Sequence, residues 1–298
     1  MSCTLSPSEH RIYRVVRVCQ EWELPRSTFY AHRSRRRAPA RPPAKRGPHT
    51  RLDDAGLTEA IREVLATSPF VGEGHRKVWA RLRFSGIRTS KPRVLRLMRV
   101  ANLLAPSRAC RVLGPRHHDG TITTERPDVM WGTDLTTTMT LEEGLAKVFV
   151  AVDHCNTECV GIHAASLATR FEALEPVRQG VRGHFHDFGR GVASGLSLRH
   201  DHGSQYVSDA FQEEIRFLGI ESSPSFVRSP EGNGCAERFI RTLKEQLLWV
   251  RAFRTVEELR LALHEWVKTY NEQWLLERHG HRSPAQVRRD LLASEAAA

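Results

Sequence analysis

Three acidic residues stand in contexts suited to chemistry. Asp134 lies in Trp131-Gly-Thr-Asp-Leu-Thr, Asp201 in His200-Asp-His-Gly-Ser-Gln-Tyr, and Glu237 in Asn233-Gly-Cys-Ala-Glu-Arg-Phe-Ile-Arg. Thirty-five residues separate Asp201 from Glu237. Carboxylates are hard oxygen donors, and Mg²⁺ takes one or two of them together with water and substrate phosphates. Three carboxylates on separate elements can hold two divalent ions, and a metal pair can drive phosphoryl transfer. The expected chemistry is metal-dependent phosphoryl transfer on DNA, with Asp134, Asp201 and Glu237 as catalytic residues and metal ligands. One such acid alone would be read as solvated or, for Glu237, as favouring the positive end of a helix. Three of them, each in a Gly-, Thr- or Asn-rich setting, point to a shared site.

The elements that must position them follow from pattern. Val129 to Met139 is rich in Thr and apolar residues, and Leu145 to Val152 and Cys159 to Ala165 are further strands. Leu141-Glu-Glu-Gly makes a turn between the first two, so an antiparallel meander is expected. Phe171 to Arg182 reads as a helix, and Leu196 to His200 as a strand that ends at Asp201. A helix over Ser208 to Leu218 and a short strand at Gly219–Ser222 follow. The loop Pro224 to Gly234 leads into a long helix, about Cys235 to Val250, with Ala236, Phe239, Ile240, Leu243 and Leu247 inward. Glu237, Arg241 and Lys244 share another face of it at i, i+4 and i+7, so the two cations can grip DNA near the metals. Thr255 to Tyr270 is the last long helix expected.

The front of the chain is basic. Residues 1–120 hold 25 Lys and Arg against 9 Asp and Glu, and the remainder holds 20 against 25. A basic front joined to a slightly acidic body suggests a DNA-binding arm on a metal-binding core. Residues 8–20 and a stretch capped by Ser27 form a helix, turn and helix. Arg35, Arg36 and Arg37 close this segment (1–37) and are DNA-contact candidates. A Pro/Arg-rich linker (38–50) follows. A second helical unit (51–115) contains a helix over His75 to Phe84, a break at Gly86, and a helix capped by Ser90 with Pro92 in its first turn. Arg93, Arg96 and Arg99 form a basic stripe on the latter, suited to phosphate or groove contact. The six cysteines are scattered, and Cys155-x3-Cys159 beside His154 and His163 matches no common zinc spacing. No apolar run approaches a membrane span, and the N-terminus lacks an export signal, so a cytoplasmic location is expected.

These motifs carry a resemblance. The region from Asp134 to Arg288 resembles the catalytic core of retroviral-type integrases and DDE transposases, through the three acidic motifs, Tyr270-Asn271 and Arg282-Ser-Pro-Ala-Gln286. Glu73-Gly-His-Arg-Lys-Val-Trp79, Arg93-Val-Leu-Arg-Leu-Met98 and Pro25-Arg-Ser-Thr-Phe-Tyr-Ala-His-Arg33 resemble the segments preceding that core. Together they resemble the OrfB transposase of the bacterial insertion-sequence family numbered three. The resemblance implies an α/β, RNase H-like mixed-sheet core (122–290) preceded by small all-α, helix-turn-helix-like units. It implies Mg²⁺ or Mn²⁺, two ions, and strand cleavage followed by attack of a 3′-hydroxyl on target DNA. Asn233, Arg241 and Lys244 occupy positions near the donor end in that family. The implied partners are DNA ends and target, a second copy of the chain, and a first-frame OrfA protein or a fusion with it. His200 is a departure, since a small polar residue is common before this aspartate. A second reading is a catalytically inactive DNA-binding regulator of the element, which need not keep all three acids.

Overall fold

Two short helices begin the chain, α1 (Val15–Glu21) and α2 (Arg26–Arg37). The computed structural model describes residues 4–37, 51–106, 122–225 and 233–297, so the 38–50 linker lies outside the described residues. Helix α1 starts later than its apolar spacing suggests. Leu5 and Ile12 pair as an antiparallel bridge, and His10 adopts φ 52°, so a tight turn takes the place of the first helical turns. Met1–Arg51 and Leu52–Ala298 are separate compact units.

The second unit opens with three helices, α3 (Asp54–Thr67), α4 (His75–Phe84) and α5 (Lys91–Val100). Asp53 caps α3 by accepting from Gly56 N at 2.8 Å, and Ser90 caps α5 by accepting from Arg93 N at 3.4 Å. Leu57, Ile61, Val78, Leu82, Val94, Leu97 and Met98 bury one shared core. Gly86 breaks the chain between α4 and α5 with φ 80°, a left-handed conformation that glycine adopts without strain.

The Thr-rich stretch forms β1 (Met130–Thr140), the middle of a five-stranded sheet. β2 (Gly144–Asp153) and β3 (Cys159–Ala165) fold back from it as the expected antiparallel meander. The chain then crosses through α6 (Arg170–His184) to β4 (Ser197–His200), which lies parallel to β1. It continues through α7 (Ser204–Val207) and α8 (Asp209–Phe217) to β5 (Glu221–Pro224), parallel to β4. Parallel neighbours require such crossovers, whereas a tight turn suffices for antiparallel ones. The order β3-β2-β1-β4-β5 with this mix of directions is the RNase H-like core.

Two helical layers cover the sheet. α9 (Gly234–Leu243) continues as a π-helical turn, Lys244–Leu248, and α10 (Val256–Gln273) follows. Side chains alternate across a strand, so Val148, Val150 and Val152 of β2 meet Phe239, Leu243, Leu259 and Leu263 of α9 and α10. Phe149 and Ala151 meet Leu174, Val177, Phe211 and Ile215 of α6 and α8 on the opposite face. The α6 backbone approaches β3 so closely that a Cβ on Gly161 would stand 1.9 Å from the Pro176 carbonyl oxygen.

A last helix, α11 (Pro284–Ala296), was not expected from pattern. Ser283 and Gln286 form a reciprocal capping box at its start. Its Arg288 is buried among carboxylates: Asp128 at 2.5 and 3.0 Å, Glu158 at 2.5 Å and Asp153 at 3.5 Å. Asp128 also accepts from the Trp131 indole at 3.1 Å, so α11 fastens the entry to β1. Removing the cation would leave buried acids uncompensated. Arg288→Ala is therefore expected to cost about 3–5 kcal/mol, read as a lowered urea midpoint, while Arg282→Ala at the exposed Asp290 pair should change it little.

Candidate active site

Asp134 pairs with Val150 across the β1–β2 ladder, and paired residues point to the same face. Val150 packs under α9 and α10, so Asp134 faces that layer too. In the parallel β1–β4 register Gly132 lies opposite Arg199. Two residues further along, Asp201 comes level with Asp134, just past the end of β4. Glu237 sits in the first turn of α9, above the same face, and is exposed. Burial pushes the Asp134 carboxyl up from 3.8 to about 6, and the charges of Asp201 and Glu237 add to the rise. Leu135 N, which donates to Asp134 Oδ1 at 2.7 Å, and the Lys244 ammonium oppose it. Asp134 thus senses both other acids and the cation, and the three carboxylates form one electrostatic cluster.

Neighbouring side chains fasten the acid-bearing segments by holding backbone carbonyls. Asn233 Nδ2 donates to Thr133 O at 2.9 Å, tying the start of α9 to the residue before Asp134. His200 is buried, and its Nδ1 donates to Asp201 O at 2.7 Å while Ser222 Oγ donates to its Nε2 at 2.9 Å. Asp201 Oδ1 in turn accepts from Gly203 N at 2.8 Å. The histidine that departs from the family pattern thus orients the second aspartate.

His154 completes this frame. Its Nδ1 donates to Ile122 O at 2.9 Å, so in the neutral ring Nε2 is an acceptor. Burial lowers the His154 pKa and favours that neutral ring. Nε2 and Asn233 Oδ1 are buried acceptors with no hydrogen-bond partner in the structure. Both rest against Gly132, where a Cβ would lie 2.5 Å from Asn233 Oδ1 and 2.7 Å from His154 Nε2. Glycine is required there because Asn233 and His154 occupy the space of any side chain.

Among the described residues, no three His, Cys, Asp or Glu side chains stand close enough to cage an ion unaided. The donors that cluster are carboxylate oxygens, which suit a hard divalent cation completed by water and phosphate. The cysteine alternative does not form such a set. Burial pushes the Cys155 thiol up to about 11 and the Cys159 thiol higher, and His163 pairs with Glu172 at 2.5 Å.

The basic candidates divide. Arg241 is exposed on α9, and Lys244 is half-buried toward Asp134. Arg93 is mostly covered and grips Asp54 Oδ1 at 2.8 and 2.9 Å and Leu52 O at 3.0 Å. Arg96 grips Asp54 Oδ2 at 2.8 Å, whereas Arg99 is exposed. Arg36 is exposed on α2, and the side chains of Arg35 and Arg37 lie outside the described residues. The positioning roles of His154 and Gly132 had no signal in spacing, because they depend on contacts made across the sheet.

The chain is similar to known proteins. The family model described as "Integrase core domain" matches residues 218–284, and that described as "HTH-like domain" matches residues 51–110. The transposase for insertion sequence element IS629 of Shigella sonnei is 30% identical over 295 residues, covering 95% of this chain and 94% of the relative. The transposase InsD for insertion element IS2D of Escherichia coli (strain K12) is 28% identical over 251 residues, 82% of this chain and 81% of the relative. Among solved structures, a simian T-cell lymphotropic virus intasome complex has TM-score 0.46 and 20% identity, covering 77% of this chain and 74% of that one. The HTLV-2 integrase catalytic core domain in complex with magnesium has TM-score 0.41 and 17% identity, covering 55% and 97%.

Two outcomes follow from the site geometry. A carboxyl whose folded-state value is raised binds its proton more tightly when folded, so stability falls as pH rises from 3.8 through about 6. Asp134→Asn should therefore be more stable than wild type at pH 8 without metal, by up to about 3 kcal/mol at about 1.4 kcal/mol per unit. That advantage should vanish near pH 3.5, as thermal melts across the range would reveal. Gly132→Ala should displace Asn233 and His154 and depress metal-dependent activity while far-UV circular dichroism stays native.

Proposed function

The chain belongs to the insertion-sequence family numbered three, as an OrfB-type transposase with an HTH-like unit ahead of an integrase core, and we propose that Asp134, Asp201 and Glu237 form its DDE centre. The protein is a polynucleotidyl transferase that cleaves DNA strands and joins them during transposition. The observation that carries the site assignment is the β1–β4 register, which brings Asp201 level with Asp134 on the face where the first turn of α9 carries Glu237.

In the cleavage step, a water oxygen attacks the phosphorus at an element end. The bond to the 3′ oxygen of the element strand breaks, leaving a free 3′-hydroxyl. In the joining step that hydroxyl attacks a target phosphodiester, and the 3′ oxygen of the target strand departs with a proton. The three carboxylates would hold two divalent ions, Mg²⁺ or Mn²⁺, which supply Lewis-acid activation of the attacking oxygen and stabilisation of the leaving one. The protein's own part is placement. Asn233 holds the start of α9 beside β1, and His200 fixes the backbone at Asp201. Lys244 offsets acidic charge at Asp134, and exposed Arg241 is oriented for DNA phosphate one turn beyond Glu237.

The helical unit of residues 51–115 contacts DNA through exposed Arg99, with Arg93 and Arg96 held by Asp54 beside it, and residues 1–37 contribute Arg35, Arg36 and Arg37. The 38–50 linker joins residues 1–37 to the 51–115 unit, which precedes the 122–290 core. Bringing two element ends together calls for at least two copies of the chain, and a first-frame OrfA protein or fusion supplies further end recognition. Among the described residues no helix is long and apolar enough to cross a membrane. The cytoplasm, with the nucleoid as its DNA, is the proposed location.

The test is strand joining by the purified chain on labelled DNA bearing the inverted repeats that flank its gene. Wild type should join in Mn²⁺ or Mg²⁺, and Asp201→Asn should bind the DNA but not join it; unaltered joining by that variant would sink the triad assignment. End binding should also weaken linearly with log salt, with a slope of about −0.9 per neutralised phosphate. A flat salt profile would remove the basic arm from the reading.

A further inference from the structure

The helix that carries Glu237 does not end at the carboxylate cluster. Its π-helical turn, Lys244–Leu248, is closed by Trp249 N donating to Lys244 O at 2.9 Å. A π turn inserts one residue into the helical repeat and re-aims the side chains around it. Within this turn Lys244 acts on Asp134, and two residues later half-buried Gln246 turns to the helical unit. Its Oε1 accepts from Val71 N at 2.8 Å, and its Nε2 donates to Val71 O at 2.9 Å. Val71 lies in the turn between α3 and α4, 175 residues away in sequence. A primary amide that satisfies both backbone polar groups of one residue fixes orientation as well as distance, since a small rotation weakens both bonds.

The rest of this contact is oriented differently. Phe70 packs edge-on against Trp274 at 4.9 Å, and Trp79 meets His281 at 5.7 Å. Arg76 pairs with Glu277 at 2.8 Å. All of these reach the far end of α10 and the segment after it, and none reaches the helix of Glu237. The Gln246 amide is a two-bond link between the helical unit and that helix.

We infer that Gln246 is a positioning residue, which sets the catalytic helix in register with the helical DNA-binding unit and so decides which phosphodiester of an element end meets the carboxylates. The inference rests on the proposed DDE centre. The helical unit fixes where DNA lies, Glu237 and Lys244 fix where phosphorus reacts, and Gln246 holds the spacing between them. It contacts neither the DNA bases nor the reacting atoms in this role.

The experiment maps nick positions on end-labelled DNA carrying the element end, with the full-length chain, Mn²⁺ and the Asp201→Asn control. Wild type should cut at one position. Gln246→Ala should spread the cuts over neighbouring phosphodiesters, lowering the share at the wild-type position about tenfold, with end affinity and thermal midpoint unchanged. Gln246→Glu keeps the acceptor for Val71 N but loses the donor to Val71 O, so its scatter should be intermediate. A single unchanged position in both variants, at normal or reduced yield, would overturn the inference, because a merely structural loss lowers the amount of product and not its address. Failure of the DDE reading would look different, as wild type and Asp201→Asn would then behave alike.

Discussion

Asp134 is held where its own charge is disfavoured. It is largely withdrawn from water, and the charges of Asp201 and Glu237 act on it from the next strand and the next layer. A carboxylate in such a place relaxes away unless the backbone around it is fixed, and strain of this kind is typical of functional centres. The fold meets that constraint with the parallel pairing of β1 and β4, which sets Asp134 and Asp201 level, and with α9 laid across the same face. Both pairings require a sheet whose two faces are covered, and the helical layers supply that cover.

The fastening is done by residues beside the acids and not by the acids. Asn233 takes the carbonyl before Asp134, His200 takes the carbonyl of Asp201, and His154 takes that of Ile122. Bonds to backbone carbonyls fix position without adding charge. Arg288 acts further out, gathering Asp128, Glu158 and Asp153 so that β1 begins in the right place. The side chains that fasten the three acids, Asn233, His200 and His154, thus add no negative charge beside them.

Much of this organisation could be read from local pattern. The third strand was expected at Cys159 to Ala165 and the fourth helix at His75 to Phe84, and both formed with those bounds. Alternation and helical spacing report which side of an element is apolar, and that is enough to place Asp134 on a strand and Glu237 near a helix start. They do not report partners. Arg93 and Arg96 read as an outward stripe, yet both turn to Asp54, 39 and 42 residues away. The continuous helix expected over Cys235 to Val250 contains a π turn, and α11 was missed because its apolar face is weak and it is held mainly by Arg288. The turned-in arginines and α11 depend on contacts made over long sequence separation, whereas the late start of α1 and the π turn are local departures from the helical repeat.

The partners also change what the basic front of the chain means. Arg76, Arg81, Arg93 and Arg96 pair with Glu277, Glu73 and Asp54, so part of the positive charge is used to orient helices and dock the helical unit. Only cations that reach phosphate release counterions, so the count of arginines overstates the electrostatic contribution to DNA binding. Arg83, Arg88 and Arg99 remain exposed on the same helical unit. The same residue type therefore divides into two sets here, one paired within the helical unit or, through Arg76, with Glu277, and the other exposed where the proposed DNA contact would fall. Since the first set and the Gln246 amide fix the helices that carry the second, the proposed DNA geometry depends on these internal contacts as well as on the exposed arginines.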